Sequence, residues 1–504
     1  MDGTRQSLLN RIVDWVANKP GQENALKSNT YWLYGSPGIG KSALAHSICA
    51  NLHERNQLAG AFFCRRDDPT LSEPTNILPS FIHKLSILFP PFRTVVAKHL
   101  RDDPNLTPES MKTSLFLDLI RALPVQPENA LVFVIDALDE CGTARNRPGL
   151  LKVLTDAAAH APWLKIIITS RAELDIQQFF DALTQSPYLP YDLGKDQDAS
   201  NDLRTFARRQ FDWVASVWQL DTPWPEESDF DGALARANGL FIFIKTLALD
   251  LERCEDPTES LKATVQATAG IGLESLYALY SSILKAQILH NSAEFRRVIG
   301  VVLAAAPYRA LCDETIAELA GVKPHLVKKW VGALGSLLYR DEAANRGVRV
   351  RHMSIFDFFL SDSCDFQVKL HDADVQLGVS CLKTMLAQLR FNICKLEDSR
   401  LANADIKDLP SRINENVSDP LQYSCLHWSN HLRSPDTPDQ RVLALGSLKK
   451  FFEGLYPVFW VEVLSVMGVV PIGAPSLRRL MTWVRVSTFP LASSLHPKFI
   501  SYSL

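Results

Sequence analysis

The stretch Tyr31–Leu52, YWLYGSPGIGKSALAHSICANL, decides how the first part of this 504-residue chain is read. An apolar run, Thr30–Gly35, drops into a glycine-rich turn and leaves it as an amphipathic segment with Leu44, Ile48 and Leu52 on one helical face. Gly35, Ser36, Pro37, Gly38, Ile39, Gly40, Lys41 and Ser42 fit the pattern G-x-x-x-x-G-K-[ST]. The glycines let successive backbone N–H groups turn inward around a phosphate, which side chains would obstruct. Lys41 can reach the outer phosphates, and Ser42 can offer a hydroxyl to Mg2+. The helix opening at Ser42 and Ala43 aims its positive end at the same anion, so Ala43 joins the candidate binding set.

Three further runs, Leu58–Cys64, Asn129–Asp136 and Leu164–Ser170, carry continuous apolar residues, as strands buried on both faces do. Helical patterns lie between them, so a parallel α/β sheet is expected over the first 190 residues. Holding a metal and poising a water need carboxylates, and Leu131–Cys141, LVFVIDALDEC, supplies them. Asp136 ends its run at the carboxyl edge of the sheet, where α/β ligands bind, and is the expected Mg2+ partner beside Ser42. Asp139 and Glu140 follow as candidates to orient or deprotonate a water; the alternative is that they cap the next helix. Thr169, Ser170 and Arg171 close the last run as a polar trio at the same edge. Arg171 is the candidate sensor of a γ-phosphate, against a plain surface charge.

The chain is too long for one core, so three or four domains are expected. Hydrophobic residues at 46% and charged residues at 22% are ordinary for a globular protein, and a net charge of −3 gives no bulk attraction for nucleic acid or membranes. The nine cysteines include no CxxC pair, which points to a reducing, cytoplasmic setting without a disulfide framework or zinc module. The N-terminus lacks a basic start followed by an apolar core; Leu8, Ile12, Trp15 and Val16 repeat at helical spacing instead. Pro457–Ala474 approaches membrane-span length, but Glu462 and Pro471 favour a buried helix, so no membrane span is expected.

After Tyr188–Gly194 the pattern turns helical, as in Leu203, Phe206, Ala207, Phe211 and Val214. Residues 294–361 read as three helices, a hairpin around Asn345–Arg346–Gly347, and a helix, which suggests a winged-helix unit. Only helical periodicity follows, and no internal repeat is found. The expected fold is multidomain α/β plus α. An N-terminal helical segment (1–28) precedes a P-loop parallel-sheet NTPase domain (29–190). A helical domain (191–290), a winged-helix domain (291–362) and a second helical domain (363–504) follow.

GSPGIGKS, FFCRRDDP (Phe62–Pro69), VIDALDEC and IIITSR together resemble the NACHT branch of the signal-transducing (STAND) P-loop NTPases, in its fungal, nephrocystin-like form. GLFIFIK (Gly239–Lys245) resembles the helical-domain motif of that family, and RHMSIFDFFLS (Arg351–Ser361) its H-x-S-F-x-D-F-L signature. LRFNICKLE (Leu389–Glu397) and FWVEVLSVMG (Phe459–Gly468) resemble the helical region that follows. The resemblance implies a signalling switch of the innate-immunity or incompatibility kind. Its ADP-bound form is closed, and exchange for a triphosphate (ATP, with GTP left open) opens it and promotes oligomerisation. By the same resemblance His352 touches the β-phosphate in the closed state, and Thr4 and Arg5 belong to the segment near the adenine.

There are departures from the family. The match starts by about Gly3, with no room for an effector domain, and stops at Leu504 without sensor repeats. Phe241 stands where relatives often carry proline. The alternative is therefore an inert nucleotide-binding scaffold or decoy, or a core acting with partners. A metabolic P-loop enzyme or motor is disfavoured by the absence of a transporter LSGGQ-type signature. A DNA-binding regulator is disfavoured because Pro324–Leu337 offers only Lys328 and Lys329. The expected partners are nucleotide and proteins, including further copies of the chain, and not nucleic acid.

Overall fold

The computed structural model describes residues 4–17, 28–102, 113–183, 188–267, 270–288, 290, 292–342, 346–398, 401–432 and 438–488. Asn345 of the expected hairpin turn, parts of the 1–28 segment and the last sixteen positions, 489–504, lie outside them. The chain forms two compact units. The first comprises Met1–Ile283 with Gly335–Leu337 and Arg351–Ile355; the second comprises Leu284–Leu334, Leu338–Val350 and Phe356–Leu504.

The first unit begins with α1 (Gln6–Val16), β1 (Thr30–Tyr34), α2 (Lys41–Glu54), β2 (Leu58–Phe63), α3 (Ile77–Leu88), α4 (Pro90–Asp102) and α5 (Thr113–Arg121). It continues through β3 (Leu131–Asp136), α6 (Arg147–His160), β4 (Leu164–Ser170), α7 (Leu174–Asp181) and β5 (Tyr188–Asp192). The five strands pair in parallel in the order β2-β3-β4-β1-β5. Alternation along each strand divides the core between two faces. Phe133, Ile135, Ile166 and Ile168 pack with Phe81, Leu85, Phe116, Leu154 and Phe180. Val132, Val134 and Ile167 pack with Leu8, Ile12, Trp15, Leu44 and Ile48 on the other face. Every residue of β3 and β4 is buried, which is why those runs read as continuous apolar segments.

α8 (Ala199–Trp218), α9 (Glu227–Ala237), α10 (Phe241–Leu251), α11 (Pro257–Gln266) and α12 (Leu273–Gln287) follow, and no strand occurs among the described residues between Gly194 and His290. The core is a parallel-sheet P-loop NTPase-like layer with helical additions.

The second unit opens with α13 (Ser292–Ala305), α14 (Asp313–Ala320), α15 (Pro324–Ala333) and the antiparallel pair β6 (Leu338–Asp341) and β7 (Gly347–Val350). α16 (Met353–Leu360) comes next, its first three residues belonging to the first unit. α17 (Leu370–Gln388), α18 (Leu409–Asn416), α19 (Asp419–His427), α20 (Pro438–Glu453), α21 (Tyr456–Val466) and α22 (Gly473–Thr488) complete the chain's described elements. The apolar run Pro457–Ala474 is broken by a 3-10 turn at Val470–Ile472. Within it the Glu462 carboxylate accepts the backbone N–H groups of Asn392 and Ile393 at 3.2 and 3.0 Å. Among the described residues no helix is long and apolar enough to cross a membrane. All nine cysteines are unpaired.

Candidate functional site

Strand register fixes where the site lies. Tyr34 stands opposite Ser170, Phe63 opposite Asp136, and Ile135 opposite Ile168. Gly35, Asp136 and Arg171 therefore leave the sheet at one edge, the carboxyl edge. Gly38 and Gly40 take left-handed φ values of 82° and 94°, which glycine enters at no steric cost. A Cβ on Gly38 would meet Ile242 Cγ2 at 2.1 Å, and the Ile242 N–H donates to the Gly38 carbonyl at 3.2 Å. The first turn of α10 is laid directly on the loop.

Lys41 Nζ donates to the carbonyls of Gly35 and Ser36 at 2.8 and 3.0 Å. Burial pulls its ammonium down to about 8, against the opposing charges of Asp139, Asp136 and Glu140. Asp136 is buried and accepts hydrogen bonds from the hydroxyls of Thr169 and Ser42. Burial raises its carboxyl above the usual range, and those bonds oppose the rise. Ser42 and Asp136 thus offer a hydroxyl and a carboxylate, the hard oxygens Mg2+ takes. No group of three or more His, Cys, Asp or Glu among the described residues could hold an ion. The donor set fits an ion that completes its shell with phosphate and water.

Leu138–Glu140 form a 3-10 turn entered through Ala137 at φ 52°. α6 starts only at Arg147 with Asn146 at its N-cap, so neither acid caps it. Asp139 is buried; its Oδ1 accepts the Arg171 N–H at 2.9 Å, and Arg171 Nε lies 3.2 Å from Oδ2. Glu140 accepts the Arg66 N–H at 3.4 Å, and burial, then the Asp139 charge, raises its carboxyl to about 7. That value suits a general base near neutral pH. Of the expected polar trio only Arg171 reaches the cleft. Neighbouring residues on a strand face opposite ways, so Thr169 turns to Asp136 while Ser170 is buried and accepts the Trp32 indole N–H at 2.8 Å.

A cleft of about 230 Å³ is lined by Pro37, Gly38, Gly40, Lys41, Ser42, Ala43, Asp139, Glu140, Arg171 and His352, with Phe206, Phe241, Ile242, Lys245 and Met353 among the other walls. Gly35, Ser36 and Ile39 belong to the loop but do not line the cleft. His352 Nδ1 accepts the Ser354 N–H at 3.1 Å and lies 2.7 Å from Ser354 Oγ, itself 2.8 Å from the Tyr280 hydroxyl. An accepting Nδ1 assigns the ring proton to Nε2. Burial, then the positive charges of Lys41 and Arg171, holds the imidazole down to about 4, so it is neutral.

Thr4 and Arg5 are buried but line no part of the cleft. The Arg5 N–H donates to Asp202 at 3.0 Å, its side chain pairs with Asp196, and its guanidinium lies 5.8 Å from the Phe241 ring centroid. Arg5 is thus set behind one wall of the cleft. Arg66, Ile242 and Met353 fall inside the stretches Phe62–Pro69, Gly239–Lys245 and Arg351–Ser361, and Phe206 inside a helical pattern, but nothing in their spacing ties them individually to Gly35–Ser42.

The core is P-loop NTPase-like, a parallel sheet with a glycine-rich loop and a buried carboxylate at its carboxyl edge. The family model described as nephrocystin 3, N-terminal, matches residues 3–171, the region carrying Gly35–Ser42, Asp136 and Arg171. No curated protein matches the sequence. Among solved structures, the Walker-type ATPase of Pyrococcus abyssi is 16% identical, with 70% of this chain and 95% of that chain covered at a TM-score of 0.33. The Aeropyrum pernix Orc1 protein, solved in complex with DNA, is 12% identical over 71% of this chain and 92% of that chain, with a TM-score of 0.30. Cdc6p from Pyrobaculum aerophilum is 11% identical over 71% and 94%, with a TM-score of 0.32.

Proposed function

We propose that the chain is a nucleotide-controlled switch that binds ATP and ADP with Mg2+ and hydrolyses the triphosphate slowly. The observation that carries this reading is the convergence of Lys41, Ser42, Glu140, Arg171 and His352 on one cleft, with Asp136 bonded behind Ser42. The loop amides and the start of α2 cradle the phosphates. Lys41 exchanges its two loop carbonyls for phosphate oxygens. Ser42 and Asp136 would hold Mg2+, which would supply neutralisation of phosphate charge. Glu140 takes a proton from the attacking water on its carboxylate. Arg171 leaves Asp139 for the γ-phosphate, and His352 donates Nε2–H to the β-phosphate.

The internal pairing of both Lys41 and Arg171 supports a resting state ready to exchange partners. The NACHT resemblance supports the rest of the reading. In it the ADP form is closed, and the triphosphate form is open and associates with protein partners or with further copies of itself in incompatibility-type or innate-immunity-like signalling. A DNA-reading role gains no support from α15, where Lys328 is spent on Glu314 at 2.7 Å.

The test is to identify any nucleotide that co-elutes with the purified chain and to titrate ADP, ATP and GTP with Mg2+ by calorimetry. Lys41→Ala is expected to weaken binding about a hundredfold, the scale of its charged hydrogen bonds. Wild-type protein that binds none of the three ends the proposal. Turnover no greater than in Lys41→Ala leaves the inert scaffold in its place.

A further inference from the structure

Arg147 belongs to none of the motifs, yet it breaks two local rules. It opens α6, where the helix dipole disfavours a cation, and it is only 5% exposed. Departures of this kind concentrate at functional sites. Its guanidinium donates from Nη1 to the Asp139 carbonyl at 2.8 Å and from Nε to Asp175 Oδ2 at 2.8 Å. Nη2 donates to Glu173 Oε2 at 2.7 Å and to Asp175 Oδ1 at 3.2 Å.

These partners come from two different segments. Asp139 lies in the turn after β3 that carries Glu140, whereas Glu173 and Asp175 follow β4 just beyond Arg171. The Asp139 carboxylate meanwhile receives Arg171. The contacts close a ring: Arg147 to Asp139, Asp139 to Arg171, and along the chain to Glu173 and Asp175, which return to Arg147. A buried ion pair is poor evidence for stability in itself, but a planar fork that grips two segments fixes their relative register.

We propose that Arg147 is a positioning residue that locks the Glu140 turn and the Arg171 segment together at the phosphate end of the cleft. The catalytic consequence rests on the nucleotide reading above; the mechanical coupling does not. Arg147→Lys keeps the charge and loses the fork. Hydrogen exchange by mass spectrometry on the full chain is expected to show residues 138–141 and 171–175 losing protection together, about tenfold, while α2 keeps its protection. Turnover is expected to fall about a hundredfold, the scale of a small misplacement of catalytic groups, with ADP affinity and melting temperature nearly unchanged.

Loosening of only one segment, or of neither, overturns the coupling. A parallel fall in turnover, ADP affinity and melting temperature overturns the positioning role and leaves a purely structural one. If the wild type binds no nucleotide, the reading of the cleft fails while the exchange comparison still decides the coupling. If Arg147→Lys does not fold, Asp175→Asn, which keeps an acceptor for Nε, is expected to give the same paired loosening in smaller degree, and unchanged exchange in that variant counts against the proposal.

Discussion

Arg171 is joined to Asp139 twice, through its backbone N–H at 2.9 Å from Oδ1 and its Nε at 3.2 Å from Oδ2. The same carboxylate stands beside Glu140 and favours its protonated form. One side chain thus restrains the cation assigned to the γ-phosphate and tunes the base assigned to the water.

Asp139→Asn keeps an acceptor and removes the charge. The Glu140 carboxyl, raised to about 7 by burial and then by Asp139, is expected to fall. A base works deprotonated, so the acidic limb of the kcat/KM profile moves to lower pH and turnover at pH 6 gains on that at pH 8. A stationary limb in the pH–rate profile removes Glu140 from the role of base.

Glu140 also makes the fold pH-sensitive. A carboxyl at 4.5 in the unfolded chain and about 7 in the folded one binds protons more tightly when folded. Its contribution is therefore full below pH 4.5 and is lost as pH rises through 7. Glu140→Gln is expected to raise the stability of nucleotide-free protein by on the order of 2 kcal/mol at pH 8 and by little at pH 4, while abolishing turnover. Thermal unfolding at the two pH values checks this; equal shifts at both contradict it.

Thr169 donates to Asp136 and accepts the Ala137 N–H at 2.9 Å. Thr169→Val keeps the shape and strands both partners, at a cost of about 1–3 kcal/mol. The Asp136 carboxyl, lowered by that bond, rises further. The Mg2+ needed for half-maximal nucleotide binding is then expected to increase severalfold at pH 6 and less at pH 8. A magnesium requirement that does not change in titration calorimetry rules out Asp136 as the metal partner.

Gly38 answers to two constraints, a φ of 82° and a Cβ position 2.1 Å from Ile242 Cγ2. Gly38→Ala is expected to cost more than about 1 kcal/mol and to lose nucleotide binding. Adding Ile242→Ala relieves the collision but not the backbone demand, so recovery in unfolding and binding assays is partial. Complete recovery shows that the left-handed backbone matters little.

Four strands and the phosphate loop were legible because burial on both faces writes a continuous apolar run, and the loop has a fixed residue pattern. β5 leaves no such apolar run in the sequence. It is a half-buried edge strand, and Pro190, opposite Trp32, is a residue that central strands exclude and edges tolerate. Ser170 turns to Trp32 and away from the cleft because neighbouring strand residues cannot share a face. Arg147 left no trace, since its partners at 139, 173 and 175 have no spacing that a sequence pattern encodes. Arg5 lies behind Phe241, a placement that depends on α8 and α10 meeting the N-terminal segment.

The first unit is not a continuous length of chain, since it takes back Arg351–Ile355 after the second unit has begun. His352 and Ser354, whose hydroxyl holds its ring and in turn meets the Tyr280 hydroxyl, lie in that returning segment. During synthesis, the loop, Asp136, Glu140 and Arg171 are all available long before the cleft has its last wall. A fragment cut at residue 334 keeps every phosphate-binding motif and still lacks the imidazole. Such a fragment is expected to report on the loop alone, whereas any control exerted through His352 is a property only of chains that extend past residue 355.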